Sequence, residues 1–138
     1  MAFGSIPFDI IDNIRTNSDD LILKLRWMED LENSLDLLAD PQNEQDLMLL
    51  QHHSSSFLQF IEEFLLEDQY QEIKIVFTAI KGIKLIINSD NRNSRQLKNR
   101  VNFRRLVNNL IGKLNDPKEV VRTEVERVIV DISRHMSS

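Results

Sequence analysis

Apolar residues recur three and four positions apart over most of this chain, and that helical period organises it. The clearest stretch runs from Leu114 to Ile132 (LNDPKEVVRTEVERVIVDI), where Val121, Val125, Val128 and Ile132 form one stripe. Its start has helix-opening chemistry. Asp116 can cap the first turn, Pro117 follows where its missing N–H costs nothing, and Glu119 can complete a capping box. Lys118 and Arg122 stand near this helix start, where the dipole does not favour cations, so both raise a functional question.

The same patterning predicts five more helices. Pro7 to Thr16 is short, with Phe8, Ile11 and Ile14 at three-residue spacing. After the turn Asn17–Asp20, Asp20 opens a helix to about Leu38, with Leu21, Leu25, Met28, Leu31, Leu35 and Leu38 inward and Trp27 packing at the stripe's edge. Asp40-Pro41 ends it. Gln42 to Ser55 is polar, and predicts a loop with one helical turn around Leu47–Leu50. A helix from Ser56 carries Phe57, Phe60, Ile61, Phe64 and Leu65 and breaks at Asp68-Gln69. The next, from about Tyr70 to Ile87, places Ile73, Val76, Phe77, Ile80, Ile83 and Ile87 inside. Its β-branched content favours a strand, but the sustained three-to-four period overrides that propensity. Asn88 to Ser94 (NSDNRNS) predicts a polar linker, and Arg95 to Leu114 a helix with Leu97, Val101, Leu106, Leu110 and Ile111 inside.

Six helices therefore form three antiparallel pairs, and the pairs repeat. Asp20, Asp68 and Asp116 occupy the turn inside each pair at intervals of 48 residues. Leu25-Arg26, Ile73-Lys74 and Val121-Arg122 follow at matching positions. A period near the ~40–47 of HEAT and armadillo units predicts an all-α fold, an α-solenoid of three HEAT-like helix pairs. The domain spans 6–138, with repeats about 7–38, 56–88 and 95–135. A compact six-helix bundle is the alternative.

Composition narrows the chemistry. A length of 138 residues suits one domain. Cys is absent, which removes disulfides, thiolate nucleophiles and Cys-containing zinc sites. No apolar run approaches the roughly 20 residues of a membrane span, and no secretory pattern opens the chain. Residues 1–5 (MAFGS) are read as an expression scar. His52-His53 points in divergent directions on a helix and has no suitably spaced carboxylate, so no metal or cofactor is expected. There is no Walker loop, GxGxxG or nucleophile–base spacing, and no enzymatic activity is expected.

The net charge of −5 is unevenly distributed. Residues 95–138 carry ten Lys/Arg against five acids, and residues 1–94 carry seven against seventeen. That asymmetry predicts a basic surface for an acidic partner. The competing reading is a solvated helix face. Nucleic acid fits poorly with a net acidic chain of few aromatics.

These residues carry a resemblance. Asp116-Pro117-Lys118-x-x-Val121-Arg122 resembles the intra-repeat turn of a TOG domain, the HEAT-type tubulin-binding module of the CLASP and crescerin families. Leu66–Ile73 (LEDQYQEI) resembles the second turn, with Tyr70 where the family favours Asn. Ile6-Pro7, Asp20–Lys24 and Glu29–Leu31 resemble the first repeat, with Leu21 where many members carry a tryptophan. The gapped match covers most of the chain and is closest to ciliary, crescerin-type domains. A full domain has about twice as many repeats, so the chain resembles its N-terminal half or a divergent short form.

The resemblance implies a cytoplasmic, cytoskeletal protein of cilium or centrosome, with tubulin or microtubules as partner. Contacts would come from the turns: Lys118, Arg122 and Lys74 for charge, Leu21 and Tyr70 as apolar anchors, and Asp68 at the second turn. Competing roles are an ion pair of Arg122 with Glu119 or Glu126, core packing for Leu21, and capping or packing for Tyr70. The alternative function is a HEAT-like scaffold that binds another protein without tubulin affinity.

Overall fold

A computed structural model describes residues 6–17, 19–67, 72–93 and 99–137. These residues are all-helical. The α-helices are α1 (Ile6–Thr16), α2 (Leu21–Leu38), α3 (Glu44–His52), α4 (Ser54–Phe60), α5 (Ile73–Asn93), α6 (Arg100–Gly112) and α7 (Glu119–Ser137). Helix α4 continues as a π-helix over Ile61–Leu66, and 3-10 turns span Pro41–Asn43 and Lys113–Asn115.

Among the described residues, seven α-helices stand where six helices were predicted. Glu44–His52 is helical, with Leu47, Leu50 and Gln51 buried on one side, while Met48 and Leu49 stay exposed among polar residues. Helix α3 packs on α5, α2 and α4. The predicted linker Asn88–Ser94 is helical through Asn93, so α5 continues beyond Ile87. Ser89 and Asp90 are both buried, and Asp90 is held by Gln51 of α3 and by His135 Nε2 of α7 at 3.2 Å. Polar partners stabilise that last turn where apolar periodicity has run out.

The helices form two layers. Lys74 and Lys81 of α5 meet Glu32 and Asp36 of α2 in the same chain order, so α2 and α5 run parallel. Lys84 and Asp90 of α5 meet Glu124 and His135 of α7 in the same way. The other layer is also parallel. Phe8 and Arg15 of α1 meet His53 and Phe60 of the α4 segment, and Ser54 and Glu62 meet Asn99 and Arg105 at α6. Within the last pair, Arg100 reaches the Met136 carbonyl at 3.3 Å, so α6 and α7 are antiparallel.

The core lies between the layers. Met28, Leu31, Leu35 and Leu38 of α2 are buried, as are Val121, Val125, Val128 and Ile132 of α7, which the stripes predicted. Lys24 occupies the first core turn of α2, where periodicity asks for an apolar residue. Its Nζ donates to the Phe64 carbonyl at 2.5 Å, at the end of the wide π turn. That turn, closed by Glu67 N–H to the Glu62 carbonyl at 2.9 Å, also places Glu62 inward to accept from Arg105 Nε and Nη2. On α6 the stripe differs from prediction. Phe103, Leu106 and Leu110 are buried, whereas Val101 and Ile111 face outward.

Helix α5 crosses the α4 segment at very short range. A Cβ on Gly82 would lie 2.9 Å from Ile61 Cδ1 and 3.0 Å from Phe57 Cζ. The absence of a side chain there is what allows the approach.

Candidate functional site

Because α2, α5 and α7 run parallel, their first turns lie along one edge of the molecule. Asp20 opens α2 as predicted, its backbone extended (φ −105°, ψ 102°) and its carboxylate accepting from Leu23 N–H at 3.1 Å. This fixes the helix start against the turn from α1.

The apolar side chain that protrudes at this corner is Ile22, which is 81% exposed. Leu21 is half-buried and packs on the core. The sequence does carry the signal. Ile22 falls outside the inward stripe of α2, and an isoleucine that no stripe uses is a candidate for the surface.

At the other end of the edge, Asp116 does something different from the predicted cap. Its Oδ1 accepts from Lys118 N–H at 2.8 Å, closing a turn two residues long. The Lys118 carbonyl accepts from Arg122 N–H at 3.2 Å, so α7 begins later than the sequence suggests. Arg122 Nη1 then donates to the Asp116 carbonyl at 2.7 Å. Arg122 thus spans its own turn, and the carbonyl explains a cation near a helix start that the dipole disfavours. Lys118 is exposed, with Nζ 3.9 Å from Asp116 Oδ1.

Lys74 is engaged across the layer. Its Nζ lies 2.6 Å from Glu32 Oε1 of α2. Lys81 joins the same network, 2.9 Å from Asp36 and 3.4 Å from Glu32. The Lys74 hydrogen bond holds the Glu32 carboxyl below its ordinary range, against the opposing effect of burial, with Lys81 adding to it. Burial pulls the Lys81 ammonium down, but its hydrogen bond to the Asp36 carboxylate and the charges of Glu32 and Asp36 leave it raised.

Asp68 and Tyr70, assigned to the second turn, lie outside the described residues. Of the remaining predicted contacts, the fold brings Leu21, Lys74, Lys118 and Arg122 to the starts of the three parallel helices. It leaves Lys118 exposed and gives Lys74 and Arg122 partners within the chain. The edge is of mixed sign, with Asp19 and Asp20 near Arg26 at one end and Asp116 and Glu119 near Lys118 at the other.

Two further features flank this edge. On the outer layer a groove of about 420 Å³ runs over α5, floored by Leu35, Phe77 and Ile80 and rimmed by the Glu32–Lys81–Asp36 and Lys84–Glu124 pairs. At the opposite edge, Gln51, Asp90 and His135 form a buried polar cluster, with Asn99 donating to Ser54 Oγ at 2.8 Å beside it. The His135 ring also meets Phe103 edge-on, at 5.3 Å between centroids. His52 and His53, weighed as metal ligands, end α3 and contact Phe8, respectively.

Comparison with known families, curated proteins and solved structures returns no match to this chain.

Proposed function

We propose that this chain is a non-enzymatic protein-binding module, a HEAT-like α-solenoid segment of TOG type. Its partner would be the acidic surface of tubulin or the microtubule, engaged through the edge where α2, α5 and α7 begin. The observation that carries this reading is the parallel outer layer. It sets the Asp20 and Asp116 turns at one edge of a rigid support, with Ile22 and Lys118 projecting. An exposed apolar anchor beside a cation is the combination that protein interfaces use for contact and steering. Tubulin enters through the resemblance of the turn residues. Cytoskeletal location, at cilium or centrosome, follows from that partner.

The test is co-migration with tubulin in gel filtration at low and physiological salt. Ile22→Asp should abolish binding at both, because it removes the apolar contact. Lys118→Glu should weaken binding most at low salt, where screening is least. Arg122→Met serves as a stability control. It should lower unfolding free energy by about 1 kcal/mol through loss of the Asp116 carbonyl bond. Full binding by a folded Ile22→Asp, Lys118→Glu double variant would remove the edge from consideration.

A second reading has its own support. Lys74 and Arg122 are committed to Glu32 and the Asp116 carbonyl, which favours a HEAT-like scaffold for another protein, without tubulin affinity. It expects no co-migration at any salt.

A further inference from the structure

The first and last helix pairs each present one flank with no neighbouring pair among the described residues, and these flanks carry opposite charge. On α2, Glu32 and Asp36 face α5. Leu23, Asp30 and Leu37, spaced seven apart, fall on the opposite side of that helix. Leu37 is 49% exposed, and Asp30 is exposed with no ion pair among the described residues. On α6, Asn102 and Arg105 face the α4 segment. Arg104 and Ile111, seven apart, fall on the far side of α6. Ile111 is 50% exposed, and no acid among the described residues pairs with Arg104.

Charge decides what fits. Apart from Glu32 and Asp36, which face α5, residues 6–38 contain six acids against three bases. Apart from Arg105 and Glu124, which are paired to the middle of the chain, residues 99–137 contain seven bases against four acids. A two-fold contact of either flank with itself would set like charges against each other. Contact between unlike flanks pairs Asp30 with Arg104-type chemistry around an apolar centre. Stacked helical arrays also need polar outer faces at their ends to remain single, and neither flank is wholly polar.

We propose that this chain binds a second copy of itself head to tail, with the flank of α2 in one molecule docking on the flank of α6 in the next. Such a contact uses a different surface on each partner, so association extends instead of closing at a dimer. The apolar residues supply contact area. The opposed charges select the orientation. Neither tubulin nor the turn edge enters this inference.

Sedimentation velocity over a range of concentrations tests it. Wild-type protein should show a growing series of species at low salt that shifts back toward monomer as salt rises. Leu37→Lys blocks one flank and Ile111→Asp the other. Each variant alone should be a monomer, and an equimolar mixture should form a heterodimer that grows no further. Circular dichroism checks the fold of both. If either loses helix, Asp30→Lys and Arg104→Glu replace them: each alone should be a monomer, and their mixture should associate again, because the two reversals restore the charge pair. Monomer at every concentration of wild type, self-association by each variant alone, or no heterodimer on mixing would each overturn the proposal.

Discussion

Two glycine-to-alanine substitutions should change stability in opposite directions, and the difference tests how the two layers meet. In a helix interior, alanine is favoured over glycine by about 0.8–1.0 kcal/mol. At Gly82 the added methyl meets Ile61 Cδ1 at 2.9 Å and the Phe57 ring at 3.0 and 3.2 Å. The isoleucine terminus can turn away, but the ring is buried and fully packed. Overpacking of that kind costs about 1–3 kcal/mol. The steric cost exceeds the propensity gain, and Gly82→Ala should be destabilising by about 1 kcal/mol. Gly112 ends α6 in right-handed helical geometry (φ −60°, ψ −27°), with nothing within 4 Å of a Cβ. Gly112→Ala should therefore stabilise by about 0.5–1 kcal/mol, mostly by restricting the unfolded chain. Urea unfolding followed by circular dichroism resolves both. For a chain of this length the pair should also separate by several degrees in melting temperature. If Gly82→Ala stabilises as much as Gly112→Ala, then α5 does not approach Phe57 and Ile61 closely, and the description of the layer contact fails.

Two other outcomes follow from the core and the surface network. Val125 is fully buried, and Val125→Asp places an unpaired carboxylate among apolar neighbours. It should cost several kcal/mol, roughly 3–5, and leave the chain largely unfolded in thermal melts. Glu32 has its carboxyl lowered in the fold, so it binds fewer protons than in the unfolded chain around its ordinary value of 4.5. Its contribution is complete above that value and is lost as pH falls through the lowered folded one. Glu32→Gln should flatten the acid limb of the stability profile, and an unchanged acid limb would deny the Lys74–Glu32 pair its role.

Most of the fold was legible where apolar periodicity was strong. The α7 stripe and the α2 stripe from Met28 to Leu38 are buried as their spacing requires, and Asp20 caps where a cap was expected. Reading failed where polar groups hold helices together. Helix α3 and the last turn of α5 contain Gln51 and Asp90, whose burial depends on partners some 40 residues distant, a relation that local patterning does not contain. Lys24 is a related case, since a lysine on the inward face is intelligible only beside the Phe64 carbonyl. On α6, Val101 and Ile111 were assigned to the interior because hydrophobicity marks surface contacts as well as cores, while Phe103 went unnoticed. At the edge, local spacing points Arg122 to Glu119 or Glu126, whereas it donates to the Asp116 carbonyl, and it does not reveal Glu32 as the partner of Lys74. The side chain that protrudes is Ile22 and not its more buried neighbour Leu21.

The bonds between helix pairs share a narrow range of sequence separation. Gln51–Asp90 spans 39 residues and Ser55–Asn102 spans 47, and the Lys81–Asp36, Arg105–Glu62 and His135–Asp90 links fall between. Lys81–Asp36 joins the second pair to the first, and Arg105–Glu62 and His135–Asp90 join the third to the second. In the α-solenoid proposed above, order passes from one pair to the next, as in a one-dimensional chain of coupled units. The middle unit has neighbours on both sides and each outer unit only one. Amide exchange should accordingly be slowest in α5 and should rise outward through α2 and α7, with α1 and α6 opening first. A chain coupled in this way can begin to fold at any adjacent pair of units, and it loses structure from its ends before its middle.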